Sequence, residues 1–181
     1  MRTLTIEKTV FKYEELSDSA KEKVREEHNR FLWEDGEMTE RMQMIADGIL
    51  EAAGFEEAED LSFNLYSQGG YPTFKTRTKS PMLLGDKVKG KRRTRHTVLV
   101  SLRHLGGSSS AFEVEVLDTK GYEVLDYDDP KSEAAKDLLR DLSHDIYNAM
   151  VKEDEYMSSD EVVAEISEAN EWEYTEDGHL A

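Results

Sequence analysis

The sequence predicts an α+β fold, with helices packed on one face of an antiparallel sheet. Three observations lead there. Apolar residues recur at three-and-four spacing over 38–53 and 135–150, as in helices with one buried face. They alternate with period two in "LSFNLYS", "HTVLVSL" and "FEVEV", as in half-buried strands. Connections between these strands are of the hairpin kind, without helical crossovers, so the sheet is antiparallel. Its far face, carrying Thr, Ser, Glu and Tyr, is free to meet water or a partner.

The elements follow in order. "TLTIEKTVFK" sets Leu4 and Ile6 opposite Thr5 and Glu7, which predicts an N-terminal strand over 3–12. A first helix follows, capped by Ser17 or by Ser19 with Glu22 as a capping box, and its apolar stripe is Ala20, Val24, Phe31 and Leu32. Asp35-Gly36 breaks it. The second helix is strongly periodic through Met38, Met42, Ile45, Ala46, Ile49, Leu50 and Ala53, and Gly54 is placed to end it.

In the central region, Leu61, Phe63 and Leu65 share one side of a strand. Val98, Val100 and Leu102 pair as a hairpin with Phe112, Val114 and Val116 across "RHLGGSSSA", and "GYEVLDY" extends the meander. Asp129-Pro130 opens a third helix, with Leu138, Leu139, Leu142, Ile146, Tyr147 and Met150 inward. Ser158 and Glu161 make a capping box for a short fourth helix carrying Val162, Val163 and Ile166. That helix stops at Asn170, and a short strand and a turn at Asp177-Gly178 follow. At 181 residues, 1–181 suits one domain, with a long basic loop at about 75–95 and the helix and strand of 158–181 appended.

Composition narrows function. There is no Cys, which excludes disulfides, thiolate metal sites and Cys nucleophiles. No apolar run reaches the roughly 18 residues of a membrane span, and the N-terminus lacks a signal peptide's apolar block, so the expected location is the cytoplasm. The net charge is −17, yet residues 75–103 hold ten Lys and Arg against Asp86 alone. The remaining residues then carry thirteen basic and thirty-nine acidic side chains. At long range such a body repels membranes and bare nucleic acid and attracts basic proteins.

Enzyme signals are weak. His28, His96, His104, His144 and His179 show no metal-binding pair at helical spacing, and "SQGGYP" and "LGGSSS" lack the Lys and spacing of a phosphate loop. Asp126 and Asp128 offer a cation site at a strand end, but the Gly of a calcium loop is missing and Asp129 is already a helix cap. Ser108, Ser109 and Ser110 beside His104 have no orienting acid. No catalytic residues, metal ligands or cofactor are expected.

Two binding surfaces stand out. The first is acidic: Glu26, Glu27, Glu34, Asp35 and Glu37 in the first two helices, with Tyr66 as an aromatic anchor. Charge runs are most often solvating faces, but this one also suits a basic or nucleic-acid-binding partner protein. The second is the positive loop, where Lys87, Lys89, Lys91, Arg92, Arg93 and Arg95 suit a phosphate backbone.

"FKYEELSDSAKEKV", "FNLYSQGG" and "ANEWEYTEDGHL" together resemble a widespread group of small phage and prophage proteins. These carry labels such as hypothetical or "antitoxin of toxin–antitoxin stability system". The group's pattern has an Asp after the Gly of "SQG", where this chain has Gly70 followed by Tyr71 and Pro72. The resemblance implies a phage-encoded accessory protein acting in the host cytoplasm. The expected function is therefore binding and inhibition or modulation of a host protein, such as a defence nuclease, through the acidic surface. The alternative is nucleic-acid binding through 75–103.

Overall fold

The computed structural model describes residues 8–66, 71–78, 98–104, 112–117 and 130–181, with backbone alone for 98–104, 112–117, 130–132, 134 and 135. The chain is α+β and groups into two compact units, residues 1–39 with 152–181, and residues 40–151.

In the first unit, Glu15 accepts the Lys12 N–H (2.8 Å) and closes a 3₁₀ turn over Tyr13–Glu15. Helix α1 spans Asp18–Asp35. Of the two candidate caps the chain uses Ser17, whose hydroxyl accepts the Ala20 N–H (3.3 Å), while Ser19 lies inside the helix. Gly36 ends α1 in the left-handed region, at φ +89°, where a Cβ is strained.

Helix α4, Asp160–Ala169, starts one residue later than the capping box anticipated. Ser159 accepts the Val162 N–H (3.4 Å), because Ser158 is still in the last turn of the preceding helix and donates to the Asp154 carbonyl (2.7 Å). The helix stops at Asn170 as expected. The tail then doubles back: Phe11 bridges Tyr174, Tyr174 bridges Leu180, and Gly178 turns the chain at φ +91°. Tyr13, Leu16, Ala20, Val24, Val163 and Tyr174 form this unit's core, with Phe11, Ala164 and Trp172 against it.

Helix α2 spans Glu37–Ala52 and helix α3 spans Pro130–Met157. Met42, Ala46 and Leu50 on α2, and Leu139, Leu142, Ile146 and Met150 on α3, are the buried stripes that the periodicity predicted. Gly54, at φ +87°, follows the end of α2, and Pro130 is the first residue of α3.

The second unit's sheet is a four-stranded antiparallel meander in sequence order: β1 (Glu59–Ser62), β2 (Thr73–Thr78), β3 (Val98–His104) and β4 (Phe112–Leu117). The β3–β4 hairpin has the expected pairing, from Leu99 opposite Leu117 to His104 opposite Phe112.

Two expectations are corrected. The first central strand ends at Ser62 and does not continue through Phe63 and Leu65, because the Asn64 side chain accepts the Tyr66 N–H (3.1 Å) and starts a turn. The basic connection does not begin at Lys75, because residues 73–78 are β2. Phe74, Thr76 and Thr78 are buried on its inward face while Lys75 and Arg77 point the other way. The Thr76 hydroxyl donates to the Glu56 carbonyl (2.7 Å) and Thr78 to that of Gly54 (3.0 Å). Ser143 of α3 donates to the Pro72 carbonyl (2.6 Å), so β2 is fixed at both ends by buried hydroxyls. Of the strand anticipated over 3–12, residues 8–12 form only an isolated bridge at Phe11, and its residues 3–7 lie outside the described residues, as do the anticipated strand at 121–127 and the cap at Asp129.

Candidate functional site

The acidic surface of α1 proves to be more than a row of carboxylates. Residues four apart on a helix lie nearly one above the other, and the buried stripe of α1 is Ala20, Val24, His28 and Leu32. Phe31, anticipated in that stripe, is displaced from it and stands 58 % exposed. The tail returns beside it. Val24, Glu27, His28, Arg30, Phe31 and Glu34 of α1, with Trp172, Tyr174 and Leu180, line an open groove of about 330 Å³. Leu180 is 59 % exposed at its edge.

Several local interactions hold the two walls. Ser167 donates to the Val163 carbonyl (2.6 Å) and so accepts from the Tyr174 hydroxyl (2.6 Å), which fixes that ring. Gly178 lies so close to α1 that a Cβ there would meet the Ala20 carbonyl oxygen at 2.6 Å. The Tyr13 hydroxyl donates to Asp160 (2.6 Å), and the Arg25 guanidinium donates to the same oxygen, tying α1 to α4. Burial first, and Asp160 second, push the Tyr13 phenol up to about 12. The bonds from Tyr13 and Arg25 hold the Asp160 carboxyl below its ordinary range. Trp33 is half-buried, and its indole N–H reaches Asp154 (3.1 Å).

The rim is charged. Glu27 and Glu34 lie two turns apart on one side of α1 with Phe31 between them. Glu34 is 4.0 Å from Arg30 and Glu27 is 3.2 Å from His179, both open to solvent, so each pairing is weak. Among the anticipated partner-binding residues, Glu27 and Glu34 are thus brought together. Glu26 is exposed but about 100° around the helix from Glu27. Asp35 closes α1 and Glu37 opens α2, both exposed. Tyr66 is 75 % exposed, in a turn of the other unit.

His28 is the residue that sequence reasoning missed. It is 8 % exposed and lines the groove, and its Nε2 is buried with no hydrogen-bond partner among the described residues. Burial pulls its pKa below the ordinary 6.5, only partly offset by the negative charge of Glu37. Its i+4 spacing from Val24 and to Leu32 was the available signal, hidden because His is read as polar.

On the basic stretch, the two cations whose side chains are described, Lys75 and Arg77, are both paired. Lys75 pairs with Asp60, and Arg77 with Glu59 (2.9 Å). Arg103 sits in register opposite Glu113. Lys87, Lys89, Lys91, Arg92, Arg93 and Arg95 lie outside the described residues, as do Asp126 and Asp128.

Among the described residues no group of His, Asp and Glu is arranged to hold a metal ion, and no helix is long and apolar enough to cross a membrane. The groove offers apolar area with the charged side chains of Glu27, Arg30 and Glu34 around it. No protein-family model matches the chain, and no curated protein or solved structure matches it either.

Proposed function

We propose that this protein is a non-enzymatic binding protein that docks a basic partner on the acidic surface of α1 and thereby inhibits or modulates it. In the phage setting implied by the sequence resemblance, the partner is a host protein such as a defence nuclease. The observation that carries this reading is Phe31, a large apolar side chain held 58 % exposed between Glu27 and Glu34. Apolar surface left in water within a charged rim is the usual build of an interaction surface, and the carboxylates select the sign of the partner.

The experiment is affinity purification from infected cells at low and high salt, with the wild type beside a Glu27→Lys/Glu34→Lys double variant. A specific basic host protein retained by the wild type, released by salt and lost in the double variant is the expected result. Retention unaffected by both salt and charge reversal would remove the proposal.

A further inference from the structure

The groove on α1 also defines what the partner must present. We infer that it seats one or two large apolar side chains from a basic amphipathic helix, whose Lys or Arg residues reach Glu27 and Glu34. This deepens the proposed function and rests on it.

Size gives the first argument. At about 330 Å³ the groove is at the lower end of the roughly 300–1,000 Å³ of small-molecule sites, enough for one or two bulky side chains. The walls give the second. Val24, Phe31, Trp172 and Leu180 are apolar, and the two aromatics offer large, rigid contact area to an anchor.

Spacing of charge gives the third. Glu27 and Glu34 are seven residues apart, roughly 10 Å along the helix axis, with the groove between them. A partner helix with cations two turns apart and an apolar residue in the middle of that interval matches all three points.

The same charges argue against other occupants. A second copy would set Glu27 and Glu34 against an identical acidic face on a body of charge −17. Nucleic acid and anionic lipid surfaces meet the same repulsion. His28 adds an independent sign that the wall is kept for something besides stability. A buried imidazole nitrogen with no partner among the described residues is a cost that an ordinary core position avoids.

The test uses the full chain labelled with 5-fluorotryptophan. There are two Trp, so ¹⁹F NMR gives two resonances, assigned with Trp33→Phe. The probes are synthetic amphipathic helices with Lys two turns apart and a Leu, Phe or Trp anchor between them. A control peptide has the same Lys and Ser at the anchor. The expected result is a saturable shift at Trp172, affinity about tenfold or more weaker for the Ser peptide, and the same loss in Phe31→Ser. Because Phe31 is exposed, that variant should keep its unfolding midpoint, and Leu180→Ser serves as the second variant.

Equal binding of Leu and Ser peptides, with both lost in Glu27→Lys/Glu34→Lys, overturns the anchor inference while leaving the acidic docking surface intact. No Trp172 shift with any peptide, together with no binding, overturns both. Self-association or vesicle binding that disappears in Phe31→Ser assigns the groove to another occupant and also overturns the inference.

Discussion

On β2, Lys75 and Arg77 meet Asp60 and Glu59 of the neighbouring strand. Along α1, Glu27 and Glu34 stand on either side of an exposed Phe31, with only open, weak pairings of their own. Both regions read in the sequence as charged surface, yet one has its charge matched within its own sheet and the other surrounds apolar area with it. Strand pairing explains the difference. Lys75 and Arg77 reach Asp60 and Glu59 across the β1–β2 pair, whereas Glu27 and Glu34 meet His179 of the tail and Arg30 of their own helix in the open. A run of charge in a sequence therefore says little until the element opposite it is known.

The strongest perturbation of the α1 side is Gly178→Ala. The new Cβ meets the Ala20 carbonyl at 2.6 Å and is forced to φ +91°, so the tail carrying Leu180 has to move. The expected loss is about 3 kcal/mol in chemical denaturation. Gly36→Ala, at φ +89° with open space around it, should lose about 1 kcal/mol. Equal losses at the two sites would show that the close approach of tail and α1 is not real.

An intermediate effect of opposite sign is expected at His28. Its folded-state pKa lies below the ordinary 6.5, so above that value the group contributes no pH dependence. As pH falls below it the unfolded chain takes up the proton first, and stability drops until the folded-state value is reached. His28→Leu should remove that slope and add about 1 kcal/mol at neutral pH by eliminating an unmatched buried nitrogen. Thermal unfolding across pH checks this; an unchanged acid slope in the variant refutes the assignment.

On the β2 side, Lys75→Ala and Arg77→Ala should each cost no more than about 0.5 kcal/mol, because both pairs are open to solvent. A loss several times larger would show that these pairs hold the sheet together and are more than neutralisers.

The parts of this fold readable in advance are those where one local period dominates. Met42, Ala46 and Leu50, and Leu139, Leu142 and Ile146, recur without competing signals, and α2 and α3 follow from them. Gly36, Gly54 and Asn170 end their helices as their chemistry dictates. β2 was hidden because Lys75 and Arg77, on its outward face, made the strand look like the start of a basic loop, while its inward face is two Thr and only one strongly apolar residue, Phe74.

The candidate site was half readable. Glu27 and Glu34 were identified from charge alone. The groove depends on Trp172, Tyr174 and Leu180 returning to α1 from more than a hundred residues away, which no local pattern encodes. His28 replacing Phe31 in the buried stripe decided which aromatic stayed outside, and a hydropathy reading assigns those two the other way.

The account's central claim is that the carboxylates around Phe31, and not the matched ones on β1, receive a basic partner. Zero-length carbodiimide cross-linking tests it directly, coupling protein carboxylates to the Lys amines of a bound basic amphipathic helix, with the joined peptides mapped by mass spectrometry. The account predicts cross-links concentrated at Glu27 and Glu34, lost in Phe31→Ser and sparse at Glu59 and Asp60. Cross-links spread over all exposed acids alike, β1 included, would contradict it.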